Sequence, residues 1–460
     1  MLRLHPRSHP GHGSGGCRVG SAARALAGQA LFTYQQRGRR TMRGRGTHLT
    51  IIAILIMTAM ATLFVGCPPP AEDDGGGAAG AGGGDGGAAA SSASIEEGVY
   101  GDSEAGIPIG AYFGLTGPNA DFGQDSAKAI VLALEEMGAA DWNGGPSFQL
   151  ILQDDRCKAE DVGPILNKLI QEDQVVAVVG EVASGLSLIG GPICQEHGVP
   201  MVSPSSTNPE VTQKGEYVFR TCFTDRQQGY ACAKFAFENL ETRRAAILYP
   251  SDNDYSVGLA KYFEEAFVDL GGEVIESQGW GKDQQDFGAE LLRVKTQDPD
   301  VLFVPCYYDD AGQFASQARK NGLDMPIVGG DGWDSPDVYN IGEEATNNCY
   351  FANHYSKQDE SPVVQSFVEQ YTERWGEAPS AMAATAYDGI RIVVEAIHSV
   401  DDPTDRAAIR DALAATSGFE GVTGTITINE DRNAVKPAVI LELQGGEQVL
   451  VDTVEAPDLS

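Results

Sequence analysis

The chain has 460 residues, 32 basic and 65 acidic side chains, and a formal charge of −33. The charge is unevenly spread: residues 1–66 hold nine arginines and no acid, so residues 67–460 carry 23 basic and 65 acidic side chains, or −42. A body this negative repels polyanions and excludes nucleic acid as a partner, and the length predicts two or three domains.

Residues 50–65, TIIAILIMTAMATLFV, form an apolar run behind Arg43, Arg45 and His48. A run of that length with a basic flank reads as a secretory signal and not as a membrane span. Met42 starts a well-proportioned signal (42–66), which makes residues 1–41 an upstream extension. The tail LFVGC resembles a bacterial lipobox, which implies cleavage before Cys67 and acylation of that residue. An ordinary signal or an uncleaved anchor helix is the alternative. The segment 68–94, PPPAEDDGGGAAGAGGGDGGAAASSAS, cannot build a core and reads as part of a flexible linker over 67–105. The expected location is therefore outside the cytoplasm, on a membrane, facing the periplasm or the cell exterior.

From Gly106 strands and helices alternate. IPIGAYF, FQLILQD, VVAVVG, PMVS and YVFRT read as strands, with helices over 124–138, 159–172 and 184–197. A second series starts near Asp225, with strands AAILY, EVIESQ, VLFVP, PIVGG and NCYFA and helices near 226–240, 257–270, 284–297 and 310–321. Residues 362–375, 380–399 and 403–415 are predicted helical, and the last stretch, from GVTGTITINEDRN onward, is predicted as strands joined by turns. Two such series predict an α/β protein of two lobes, each with a doubly wound parallel sheet.

Ligands of open parallel sheets bind beyond the carboxyl ends of the strands. In the first lobe those ends carry Phe122, Ser184, Ser205 and Thr207. Hydroxyls and a helix start at Ser184 suit a carboxylate. In the second lobe they carry Tyr255, Tyr307, Asp331 and Trp333. An acid suits an ammonium group, and aromatics suit an apolar chain or a cation. Together these describe an amino acid, although each residue alone is as readily a helix cap, a turn or packing. No CxxC pair, HExxH or Walker motif calls for a metal or a cofactor, and no placed Ser–His–acid set calls for an enzyme. Isolated histidines such as His197 and His354 read as structural.

The body, about residues 106–455, resembles the type I periplasmic binding proteins of the leucine/isoleucine/valine group, the substrate-binding components of ABC importers. The carriers are GLTGPNADFGQD, LILQDDRC, VVGEVASGLS, HGVPMVSPSSTNPEVT, FRTCFTDRQQG, NDYSVGLA, PCYYDDAGQFASQARKNGL, GGDGWDSP and FEGVTGTITINEDRN, in that order. The resemblance implies two lobes joined by a three-crossover hinge near Thr224, His354 and Pro437. Lobe one then takes 106–224 and 355–436, and lobe two takes 225–354 and 437–455. It implies an ABC permease as partner and a monomer as the working form. Position by position, it implies that Ser184 holds the ligand carboxylate, that the Ser205 carbonyl holds the ammonium and that Thr207 touches both. Tyr307 then reaches the α-groups, and Asp331 replaces a glutamate that pairs with the ammonium. Tyr255, Phe122, Trp333 and Met382 become pocket walls. Cys157 matches half of a disulfide whose other half is Ala183 here, so that bridge cannot form. The same trap serving a sensor kinase or chemoreceptor, or holding an amide or urea-like solute, is the alternative reading.

Overall fold

The computed structural model describes residues 94–102, 104–139 and 147–456. The extension 1–41, the signal-like segment 42–66, Cys67 and the linker up to residue 93 lie outside the described residues.

The first sheet has six strands, β1 (Gly98–Gly101), β2 (Ile107–Phe113), β3 (Phe148–Asp154), β4 (Ala177–Val179), β5 (Met201–Ser203) and β6 (Val218–Arg220). Their order is β1-β3-β2-β4-β5-β6, and all pairs are parallel except β1 with β3. Helices α1 (Ala120–Ala139), α2 (Ala159–Asn167) and α3 (Ser184–His197) connect β2 to β3, β3 to β4 and β4 to β5. α3 ends where Gly198 takes a left-handed φ of 61°, a conformation glycine adopts without a Cβ penalty.

After β6 come α4 (Asp225–Lys234), β7 (Arg244–Pro250), α5 (Asp254–Asp269), β8 (Glu273–Trp280), α6 (Gly288–Gln297), β9 (Val301–Phe303), α7 (Tyr308–Lys320), β10 (Ile327–Gly329), α8 (Asp337–Gly342) and β11 (Cys349–Asn353). Helices α9 (Pro362–Trp375), α10 (Ala381–His398) and α11 (Arg406–Ala414) follow. Then come β12 (Phe419–Gly421), β13 (Gly424–Ile428) and β14 (Ala434–Val435), which form a small sheet of their own. β15 (Ala438–Gln444) and β16 (Glu447–Val454) close the second large sheet antiparallel, in the order β16-β15-β11-β10-β9-β7-β8.

The two lobes follow from this order. α10 packs on α1 and against β4 and β5, so the late helices return to the first sheet, while α4 packs on α5 beside the second. The chain therefore passes between the lobes after β6, after β11 and after β14. These passages are stitched together. Asp388 on α10 accepts from Val422 N, Thr423 N and Thr423 Oγ1, each at 2.8 Å. Lys436 Nζ donates to Thr423 Oγ1 at 2.6 Å, and Gln227 Nε2 on α4 donates to the Lys436 carbonyl.

One expectation is corrected here. The linker was read as far as residue 105, but β1 pairs with β3 along its whole length, and Ile95 is buried, with its N–H on Gln124 Oε1 at 2.8 Å. The ordered body therefore begins ahead of Gly106, because the backbone of β3 offers an edge that GVYG satisfies. The six described cysteines, Cys157, Cys194, Cys222, Cys232, Cys306 and Cys349, carry free thiols. Among the described residues no helix is long and apolar enough to cross a membrane.

Several carboxyls are folded into this body. Burial lifts Asp125, Asp155 and Asp310 to about 7, and raises Glu181 and Asp225 as well. In the unfolded chain such groups titrate near 4, so between about pH 4 and pH 7 the folded state binds more protons. The stability these groups contribute is present at low pH and lost as pH rises through 7. We expect the thermal midpoint to be higher at pH 5.5 than at pH 8. Asp125→Asn, which mimics the protonated carboxyl beside Tyr371 Oη, should raise the midpoint most at pH 8, less at pH 5.5, and leave it nearly unchanged at or below about pH 4. A lower midpoint at pH 8 in calorimetric scans of that variant would contradict the assignment.

Candidate functional site

In the first sheet the strand order turns at β2, which has β3 on one side and β4 on the other; in the second it turns at β7, between β8 and β9. Crevices beyond the carboxyl ends open at such switch points, because the connecting helices leave to opposite faces there. Residues from both sets of strand ends meet. Phe122 follows β2, Ser184 follows β4, Ser205 and Thr207 follow β5, Tyr255 follows β7, Tyr307 follows β9 and Asp331 follows β10. With Val182, Gly332 and Met382 on α10, they line one small cavity of about 10 Å³, which is room for about one water. A cleft of about 340 Å³ adjoins it and shares Phe122, Val182 and Tyr307 as walls.

Local structure explains the placements. Ser184 is the first residue of α3, 1% exposed, at the end that carries unbonded N–H groups and the positive pole of the helix. Its Oγ accepts from Asn208 N at 3.2 Å, which leaves the hydroxyl hydrogen to donate elsewhere. Asn253 caps α5 by accepting from Tyr255 N at 3.0 Å and Ser256 N at 3.3 Å, and so sets the first turn that carries Tyr255. The Tyr255 and Tyr307 rings stack with centroids 5.2 Å apart and planes 4° apart. Phe122 meets Tyr307 edge-on at 6.0 Å. Burial pushes both tyrosine hydroxyls well up, so they remain protonated donors. Ser205 Oγ shares a hydrogen bond of 2.9 Å with Thr385 Oγ1, and the Thr207 carbonyl accepts from Asp225 N at 2.8 Å.

Asp331 is 3% exposed. Its Oδ1 accepts from Gln228 Nε2 at 2.7 Å, and its Oδ2 lies 3.0 Å from His354 Nε2. No local pattern in the sequence marks Gln228 as a partner of Asp331, and His354 carries only one signal there, its position directly after a strand. Glu181 is also unassigned from sequence. Its carboxyl, raised by burial and by Asp155, accepts from Gly114 N at 3.1 Å and from Ala183 N, and so ties the loops after β2 and β4 together.

Trp333 is the one predicted wall that the structure does not bring to the cavity. The short 3-10 turn Asp331–Trp333 points its indole inward, where it is fully buried, covers Gly329 and donates to the Val304 carbonyl at 3.1 Å. Met382, the weaker candidate, does line the cavity. Cys157, next to the cleft, is unpaired, with its sulfur packed over Gly114.

The arrangement offers hydroxyl donors and a helix start on one side, a buried carboxylate on the other and aromatic faces between them. Comparison with known proteins gives the same picture at the level of family. The family model described as "Periplasmic binding protein" matches residues 106–448. A solved leucine binding protein from Thermotoga maritima MSB8 is 35% identical, with a TM-score of 0.73, covering 77% of this chain and 100% of that one. A branched-chain amino acid transporter substrate binding protein from Streptococcus pneumoniae, solved in complex with isoleucine, is 31% identical, with a TM-score of 0.70, over 75% of this chain and 99% of that one. A Leu/Ile/Val-binding protein homolog from Brucella abortus (strain 2308) is 28% identical over 75% of this chain and 93% of its own length. With two such lobes, a cleft at facing switch points and a family match over residues 106–448, the chain belongs to the periplasmic binding protein family.

Proposed function

We propose that the protein is the extracytoplasmic binding component of an ABC importer, that it closes its lobes on an α-amino acid of the branched-chain group, and that it delivers this ligand to a membrane permease. The observation that carries the reading is the convergence, on one small cavity, of Ser184, Ser205 and Thr207 from the first lobe with Tyr255, Tyr307 and Asp331 from the second. Ser184 and the first turn of α3 then take the carboxylate. The Ser205 carbonyl and Asp331 take the ammonium, Thr207 touches both, and Tyr307 reaches the same groups from the facing lobe. Phe122 and Tyr255 supply apolar faces for the side chain. The leucine and isoleucine in the names of the related structures support the choice of ligand.

In this reading the protein is a carrier and not an enzyme, works as a monomer and needs no cofactor. Lobe one takes 106–224 and 355–436, extended by β1, and lobe two takes 225–354 and 437–455. Cleavage before Cys67 and its acylation would hold the body on a membrane through the Gly/Ala-rich segment, since acyl chains anchor a protein at a surface.

The first test is a thermal-shift screen of the protein, freed of co-purified ligand, against all amino acids, short amides, urea and small carboxylates. Binding to the folded state alone raises the midpoint. We expect shifts confined to leucine, isoleucine and valine; a shift with a ligand lacking either α-group would overturn the roles given to Ser184, Thr207 and Asp331. In calorimetry Asp331→Asn should weaken binding roughly 10- to 100-fold, because a charge-assisted bond contributes about 1.5–3 kcal/mol; unchanged affinity removes Asp331 from the site. Cys67→Ala should release the protein from the membrane fraction, and retention there would point to an uncleaved helix.

A further inference from the structure

The acid assigned to the ligand's ammonium does not stand alone. Each of its oxygens meets a nitrogen from a different passage between the lobes: Gln228 on α4, just after the first, and His354, immediately after β11, at the second. All three side chains are buried. The tautomer of His354 follows from its surroundings. Its Nδ1 has no hydrogen-bond partner among the described residues, and its ring stacks on Phe223 with centroids 3.9 Å apart. An N–H buried there would lose a full hydrogen bond, whereas a bare lone pair costs less. The proton therefore sits on Nε2 and is donated to Asp331 Oδ2. Burial lowers the pKa of His354 against the pull of Asp331, so the neutral ring is the resting form. The charged groups that face the ring are Asp331, Asp334 and Lys436. Lys436 stands at the third passage, and its own pKa falls to about 8 through burial.

We propose that Gln228 and His354 are positioning residues for recognition of the ligand's ammonium: by donating to one oxygen each, they fix the plane of the Asp331 carboxylate and hold it toward the cavity. The proposal rests on the reading that Asp331 pairs with the ammonium. The physical need is plain. An aspartate has one methylene less reach than a glutamate, so a swivelling carboxylate here would have to be ordered at the moment of binding, and that entropy would be lost from affinity. Two donors from rigid neighbours order it beforehand. A consequence concerns acid. An imidazolium at His354 would pair with Asp331 and compete with the ligand's cation, so affinity falls as pH drops through the titration of this ring.

The test is calorimetric titration with L-leucine at pH 8 and pH 5.5, for the parent, Gln228→Met, His354→Leu, His354→Gln and Asp331→Asn, with ligand-free thermal midpoints as the folding control. Loss of one buried donor should weaken binding roughly 5- to 30-fold at pH 8 in Gln228→Met and His354→Leu. His354→Gln keeps an N–H donor that does not titrate. It should bind within about threefold of the parent at pH 8, and should lose less affinity than the parent once the pH falls far enough to protonate the parent's ring. This rescue and the flattened pH profile are readouts that a merely structural role would leave unmoved. If Asp331→Asn loses affinity while Gln228→Met and His354→Leu bind like the parent, positioning is overturned and the Asp331 assignment stands. If His354→Gln is as weak as His354→Leu, the donor role of His354 is overturned. If Asp331→Asn itself binds like the parent, the underlying reading falls and the positioning falls with it.

Discussion

A carboxylate taken out of water costs several kcal/mol unless donors or a cation replace its hydration, and much of this site is arranged around meeting that cost at Asp331. The acid sits at the carboxyl end of β10, nearly sealed, where no lysine or arginine hydrogen-bonds to it among the described residues. Gln228 and His354 meet part of its demand, and the lone pairs left over make the cavity hospitable to a cation. The facing side of the cavity is opposite in character, with hydroxyls and the start of α3. A zwitterion satisfies both halves at once, while a simple carboxylate or a simple amine satisfies one. The proposed α-amino acid matches this division by electrostatic complementarity across the cleft.

The passages between lobes carry charges of their own. Arg220, fully buried, donates to the Ser206 carbonyl at 2.6 Å and the Asn208 carbonyl at 2.7 Å, which holds the loop that bears Thr207. Lys436 and Asp388 share Thr423, and Gln227 reaches across from the first passage to the third. Buried polar groups held by several partners specify one geometry more than they stabilise it. Placed at the three chain passages, they hold the neighbouring loops in one register.

Much of this was legible in the sequence. Helix 184–197 could be read at both ends, since an apolar strand stops at Gly180 and Gly198 supplies the left-handed stop. Helix 362–375 was equally clear from its Pro start and Gly stop. The rule that ligands sit beyond strand ends located Ser184, Ser205, Thr207, Tyr255, Tyr307 and Asp331, because it needs only the strands and not their order. What needed the order was lost. GVYG is too short to announce an edge strand, and only the open side of β3 makes it one. Trp333 shares Asp331's strand end, but the phase of a three-residue turn decides which of the two faces the cavity. Gln228 and His354 become partners of Asp331 only when α4, β10 and β11 are neighbours, which is a fact of topology and not of local pattern.

The contacts across the cleft explain how such a body can bind and still release. Several contacts between the lobes are polar and local: Asn208 Nδ2 donates to the Asp254 carbonyl at 2.9 Å, Ser335 Oγ to Asp121 Oδ2 at 3.3 Å and Ala381 N to Asp334 Oδ2 at 2.6 Å. Groups of this kind exchange protein partners for water with little net change in free energy. The apolar contact between them centres on Phe122, whose ring lies edge-on to Tyr307 at 6.0 Å and to Tyr308 at 4.9 Å. Phe122 is also a wall of the ligand cavity. A ligand side chain placed there would extend this apolar contact between the lobes. In the proposed reading a ligand that contacts both lobes favours the closed arrangement by its differential affinity for it, as a carrier that must open again requires.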